Sequence, residues 1–103
     1  MTRTAPYRVS ATVMRQQLAT FPFANPEWLA TPEETRHWLS ALPPLPLSAV
    51  DRSLRQSIEK NLATWRPARR SAYHRSYVQR TITRQLVQMA SLYQAEVLAG
   101  RGP

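Results

Sequence analysis

The sequence predicts an all-α protein, in which a helical hairpin of residues 48–65 and 68–98 carries two or three short N-terminal helices across its apolar side. Apolar residues recur at spacings of three or four, and no segment shows sustained alternation with a period of two. The only glycines, Gly100 and Gly102, lie at the end of the chain, so tight β-hairpins are not expected. A length of 103 residues fits a single small helical domain, residues 1–103.

Capping signals divide the N-terminal half into short helices. Ser10 is placed to cap a helix that runs to about residue 20, and Asn25 followed by Pro26 indicates a short helical turn. The next helix has a stronger signal, because Thr31 and Glu34 are spaced as a capping box. The prolines of the 43–46 segment should end this helix at about Leu42.

The third helix begins after Ser48, with Asp51 in the position of the capping-box acid, and ends near Pro67. On its opposite side, Arg55 and Glu59 are spaced to form an i, i+4 ion pair. The predicted buried stripe falls within an arc of about 120° and consists of Leu47, Val50, Leu54, Ile58, Leu62 and Trp65.

The last helix is the longest and is expected to run from about Ala68 to Ala99, with Gly100 following its end. It should outrun the third helix by about three turns. Its C-terminal part must then be covered by the N-terminal segment or by another chain, which favours a homodimer or an accessory subunit of a larger complex. The predicted inward stripe is Val78, Ile82, Leu86, Met89, Leu92, Tyr93 and Val97.

Positive charge is concentrated in the C-terminal half of the chain. The formal net charge is +8; residues 1–50 hold four basic and three acidic residues, and residues 51–103 hold ten and three. All basic residues except Lys60 are arginine, whose planar guanidinium suits bidentate contact with carboxylate or phosphate. This asymmetry predicts one basic surface in the C-terminal half.

A helical wheel places that surface on the last helix. Four arginines and two tyrosines fall within an arc of about 100° opposite the apolar stripe, and no acidic residue enters this arc. We call this predicted surface the Arg/Tyr face. Arg75 falls on the apolar side instead, where it could pair with a carboxylate or a helix end. The Arg/Tyr face consists of Arg69, Arg70, Tyr73, Tyr77, Arg80 and Arg84.

An unmixed basic face favours an anionic partner, since ordinary solvated faces carry charges of both signs. The leading hypothesis is a non-catalytic regulatory module that docks on an acidic protein partner, because Arg and Tyr are favoured at interfaces. The alternative is a sequence-nonspecific DNA- or RNA-binding protein, with phosphate contacts and stacked bases. A basic surface without a partner is the third interpretation.

The sequence offers little for catalysis. It has no cysteine, no glycine-rich phosphate loop and no pair of acids at metal-ligand spacing, so we predict no cofactor and no metal. Glu33 and Glu34 share a helix face with His37, which could orient a general base, but these acids fit better as capping residues. The sequence therefore predicts that the protein is not an enzyme.

Targeting signals are equally sparse. No apolar run approaches the ~20 residues that span a bilayer. Residues 1–26 have a transit-peptide-like composition, which leaves organellar import open, but Pro6 interrupts an early amphipathic helix and no cleavage signal stands out. We expect a cytoplasmic protein of bacterial or phage-like character.

Overall fold

The computed structural model describes residues 11–65 and 71–99. These contain four α-helices, α1 (Ala11–Ala19), α2 (Pro32–Ala41), α3 (Ala49–Thr64) and α4 (Ala72–Leu98), and the described residues form no strand. The all-α prediction is therefore confirmed, with a long C-terminal helix packed against shorter N-terminal ones. Ser10 and Gly100, predicted as capping residues, lie outside the described residues.

The capping residues predicted from the sequence accept hydrogen bonds from backbone amides at the helix starts and at the short turn. The Glu34 amide donates to Thr31 Oγ1 at 3.1 Å, and the Thr31 amide donates to Glu34 Oε1 at 3.1 Å, so the capping box of α2 is complete. Ser48 caps α3 by accepting from the Asp51 amide at 3.0 Å. Asp51 does not complete the capping box expected there, because its carboxylate accepts the Leu45 amide and the Ser48 amide donates to the Leu45 carbonyl. At the predicted short turn, Asn25 Oδ1 accepts from the Glu27 amide.

Helix α4 begins at Ala72 rather than at about Ala68. Ser71 has an extended backbone, and its hydroxyl accepts the His74 amide at 3.1 Å. A residue with these properties is an N-cap, which lies at the boundary of a helix rather than inside it. From there α4 is continuous to Leu98.

Helix α4 is the centre of the hydrophobic core. Six of the seven residues predicted for its inward stripe are buried, and Leu92 is half-buried. The polar Thr83 is buried too; its hydroxyl accepts from the Ala30 amide at 2.9 Å, while Gln79 donates to the Ala30 carbonyl at 2.8 Å. These two bonds hold the segment between α1 and α2 against α4.

The predicted stripe of α3 is wrong at its N-terminal end. Leu47 is 97% exposed and Val50 is 58% exposed, whereas Ile58 is fully buried. Asp51 is buried instead. Helix α3 is therefore rotated so that Asp51, and not Val50, faces the core at this end.

Helix α4 extends beyond α3 as predicted, but at the N-terminal end of α4 and not at its C-terminal end. Gln85 is hydrogen-bonded to Ser57 and Asn61, and Asp51 is hydrogen-bonded to Tyr93, so α3 runs antiparallel beside the C-terminal half of α4. Since α3 ends at Thr64, the first two turns of α4 lie beyond that end. The C-terminal part of α4 is covered within the chain by α3 and α1. Met14 and Leu18 of α1 belong to the same buried core as Val97 of α4.

The tryptophans belong to the core. Trp38 is buried, and Trp28 and Trp65 are half-buried and packed against the core. Phe21 joins the first two, with ring-centroid distances of 4.5 Å to Trp38 and 5.4 Å to Trp28. The rings of Phe21, Trp28 and Trp38 thus connect α2 to the 20–30 segment.

Candidate functional site

The described members of the Arg/Tyr face lie on the outer side of α4. Tyr73 is 77% exposed and Tyr77 is 56% exposed, and Arg80 and Arg84 are exposed as well. Arg69 and Arg70, the other two predicted members, lie outside the described residues and precede the N-cap of α4. Two tyrosines and two arginines thus share one solvent-facing strip of helix.

The two arginines of this strip are not held by internal acids. Arg80 donates to Ser76 Oγ at 3.0 Å, within its own helix. Among residues 11–65 and 71–99, neither Arg80 nor Arg84 forms an ion pair with a carboxylate. Arg75, which the wheel places on the apolar side, is half-buried. The guanidinium groups of Arg80 and Arg84 are therefore available to an external anion.

A buried polar cluster that the sequence did not predict lies at the other side of α4. Its members are Asp51, Arg55 and Tyr93. Arg55 was expected to pair with Glu59, but its Nε donates to Asp51 Oδ2 at 3.2 Å, one turn in the other direction. The sequence contains one signal for this ion pair, the i, i+4 spacing of Asp51 and Arg55. The pair was missed because Asp51 was assigned to helix capping alone.

The cluster joins three segments of the chain. The Arg55 guanidinium also donates to the Leu39 carbonyl at 2.9 Å and to the Tyr93 hydroxyl at 2.7 Å. The Tyr93 hydroxyl lies 2.9 Å from Asp51 Oδ1 and is hydrogen-bonded to the Pro43 carbonyl. Asp51 Oδ2 accepts the Leu45 amide at 3.1 Å. The cluster thus anchors the proline-rich 43–46 segment that connects α2 to α3.

The cluster is largely closed off from solvent. Asp51 and Tyr93 are fully buried, and the Arg55 side chain is only 14% exposed. The charges are compensated internally, as burial of an ion pair requires.

Burial raises the pKa of the Tyr93 phenol well above its ordinary value of 10.0. The Asp51 carboxylate acts in the same direction and the Arg55 guanidinium opposes it, but desolvation is the largest cause. The folded state therefore retains a proton that the unfolded chain releases near pH 10. Stability that depends on this proton is fully present below pH 10 and is lost as the pH rises further.

Above pH 10 we expect the free energy of unfolding of the wild type to fall more steeply with pH than that of Tyr93→Phe. The difference between the two slopes should approach about 1.4 kcal/mol per pH unit. Urea unfolding of both proteins between pH 8 and 11, followed by circular dichroism, measures this difference. Phenolate absorbance near 295 nm should meanwhile rise equally in the two folded proteins. Equal slopes, or a larger absorbance rise in the wild type, would contradict the raised pKa.

The acids near His37 serve the cap of α2. Glu34 accepts from the Thr31 amide, and its other oxygen accepts from Trp28 Nε1 at 3.4 Å. His37 is exposed, and its ring packs edge-on against Trp38 at 4.8 Å. The structure thus places Glu34 in a capping role and gives His37 no carboxylate partner within the described part of the chain.

Comparison with known proteins identifies no relative. No family model matches the chain, and no curated protein and no solved structure matches it significantly. Among the described residues, no cluster of three or more histidines and acids could hold a metal ion. The helices of that same part of the chain are not long and apolar enough for any of them to cross a bilayer.

Proposed function

We propose that this protein is a non-catalytic binding module that docks on an acidic protein partner through the Arg/Tyr face. The observation that carries the proposal is the exposure of Tyr73 and Tyr77 beside two arginines that no carboxylate of the described chain neutralises. Large aromatic side chains are usually covered, and Tyr and Arg carry much of the binding energy at protein interfaces.

The charge pattern supports an anionic partner. From Ala72 to Ala95, α4 contains no acidic residue, so nothing on the outer strip offsets the repulsion between Arg80 and Arg84 at i, i+4. A carboxylate from outside removes this cost and accepts bidentate hydrogen bonds from the guanidinium group. Docking of an acidic surface would therefore be favoured by charge and guided to this strip.

Several features favour a protein over nucleic acid. A recognition helix for the major groove is usually short and follows a tight turn, whereas α4 has 27 residues. Single-stranded nucleic acids usually bind in a basic groove. The described part of the Arg/Tyr face is instead one convex side of a helix, with Arg80 and Arg84 as its arginines.

The test compares two pairs of substitutions that change the net charge equally. We expect Arg80→Gln/Arg84→Gln to weaken binding of a labelled polyglutamate peptide of about 20 residues by roughly tenfold, as two partly exposed ion pairs are lost. The control Arg15→Gln/Arg36→Gln neutralises exposed arginines on α1 and α2 and should change binding by less than about twofold. Fluorescence anisotropy measures both affinities.

Two results would overturn the proposal. If both pairs weaken binding equally, the peptide senses the overall charge and not the Arg/Tyr face. If single- or double-stranded DNA of matched charge binds more tightly than polyglutamate at about 0.15 M salt, the nucleic-acid alternative takes its place. Circular dichroism of each variant confirms that the helices are intact.

A further inference from the structure

The outer strip of α4 continues into an open groove between α3 and α4, which we call the α3/α4 groove. It has a volume of about 730 Å³. None of the side chains lining it is charged, and those that matter here are Val50, Ser53 and Leu54 from α3 and Val87, Gln88 and Leu92 from α4.

The groove and the Arg/Tyr face are continuous by helix geometry. Gln88 follows Arg84 by four residues and Val87 follows Arg80 by seven, so each lies on the same side of α4 as its arginine. From Tyr73 to Ser91, which also lines the groove, the track is roughly 27 Å long. Its first part is basic and aromatic, and its second part is uncharged and mainly apolar.

The apolar part is exposed in the isolated chain. Val50, on the α3 side of the groove, is 58% exposed. Burial of an aliphatic side chain of this kind is favourable by the hydrophobic effect, so a ligand that covers the groove gains affinity that salt does not screen. A strictly acidic ligand would leave this surface uncovered.

We infer that the ligand of the whole track is an amphipathic helix of an acidic protein partner, with apolar residues at one end and acidic residues at the other. This inference rests on the proposed function. The apolar end lies in the α3/α4 groove, as helices lie in hydrophobic grooves of other proteins, and the acidic end contacts Arg80 and Arg84. A helix of about 20 residues matches the length of the track.

Charge complementarity argues against a second copy of this chain as the occupant. The chain carries a net charge of +8, and a second copy aligned along α4 would set arginines against arginines. The uncharged groove offers no carboxylate to compensate them. An acidic helix satisfies both parts of the track at once.

The test uses two labelled synthetic peptides of about 20 residues and identical composition. In the block peptide, the glutamates occupy one half of an alanine-rich helix and the leucines form an apolar stripe in the other half. In the shuffled peptide, the same residues are distributed evenly. We expect the block peptide to bind at least about tenfold more tightly, and to retain part of its affinity at about 0.5 M salt.

Substitutions in the groove separate this inference from the proposed function. Val50→Ser should weaken the block peptide roughly tenfold, and Ser53→Glu, which puts a carboxylate at an exposed position of the groove, should act in the same way. Leu29→Ser, at a 45% exposed leucine that does not line the groove, is the matched control and should leave binding unchanged.

The outcomes are distinct. If Val50→Ser and Ser53→Glu bind the block peptide as the wild type does, or if the shuffled peptide binds equally well, the groove inference is overturned. The proposed function then still stands, provided that Arg80→Gln/Arg84→Gln weakens binding. If neither the groove substitutions nor Arg80→Gln/Arg84→Gln weakens binding, the groove inference and the proposed function are both overturned.

Discussion

Replacing Asp51 with alanine is expected to lower the free energy of unfolding by about 3–5 kcal/mol. The carboxylate is fully buried and is the only acid paired with Arg55 in the described residues. Its removal leaves a largely buried guanidinium without a counter-charge and the Leu45 amide without its acceptor. The cost is large because an unpaired buried charge cannot recover its lost hydration.

Urea unfolding followed by circular dichroism measures this loss. Asp51→Asn keeps the shape and an oxygen acceptor but not the charge, so its loss should lie between that of Asp51→Ala and zero. Glu59→Ala is the matched control, since Glu59 is exposed on the same helix, and we expect a change within about 0.5 kcal/mol. A result in which Asp51→Ala costs no more than Glu59→Ala would show that the buried cluster does not stabilise the fold.

Leu86→Ala is the second substitution with a large expected effect, a loss of about 2–5 kcal/mol. Leu86 is fully buried in the centre of α4, where Ile82 and Met89 are also inaccessible to solvent. Truncation removes apolar contacts and leaves a cavity that a packed interior fills only partly.

The informative control is Leu47→Ala, because the sequence pattern assigns both leucines to buried stripes. Leu47 is 97% exposed, so we expect a change within about 0.5 kcal/mol. The two variants remove the same atoms, at an exposed position in the turn before α3 and at a buried position inside α4. Thermal and urea unfolding of both proteins measure the difference, and similar losses for the two would contradict the position of α3 described above.

Local interactions explain which parts of the fold could be predicted. The capping box of Thr31 and Glu34 and the Ser48 cap involve residues three positions apart, so their spacing in the sequence contains the whole interaction. The inward stripe of α4 was predictable for a related reason. When a long helix packs against the rest of the protein along one side, its apolar residues recur with a clear 3.6-residue period.

The exposed members of the Arg/Tyr face follow from the same periodicity. If one side of α4 is buried, the opposite side, with Tyr77 and Arg84, must face away from the core. The start of α4 was less predictable, since Ser71 had to be recognised as the N-cap within a run of good helix formers. Whether this face binds a partner stays a prediction that the peptide experiments address.

Packing between distant segments decided the remaining features. The amphipathic pattern of α3 is compatible with more than one rotation and more than one position along α4, and the choice depends on Tyr93, about forty residues away in the chain. The Tyr93 hydroxyl and the Leu45 amide both need a buried acceptor, which Asp51 provides, and Arg55 compensates the charge. With Asp51 turned into the core, Val50, which lies about 100° away around α3, is more than half exposed. Leu47 lies in the turn before α3, outside the helical periodicity that placed it in a buried stripe, and it faces solvent.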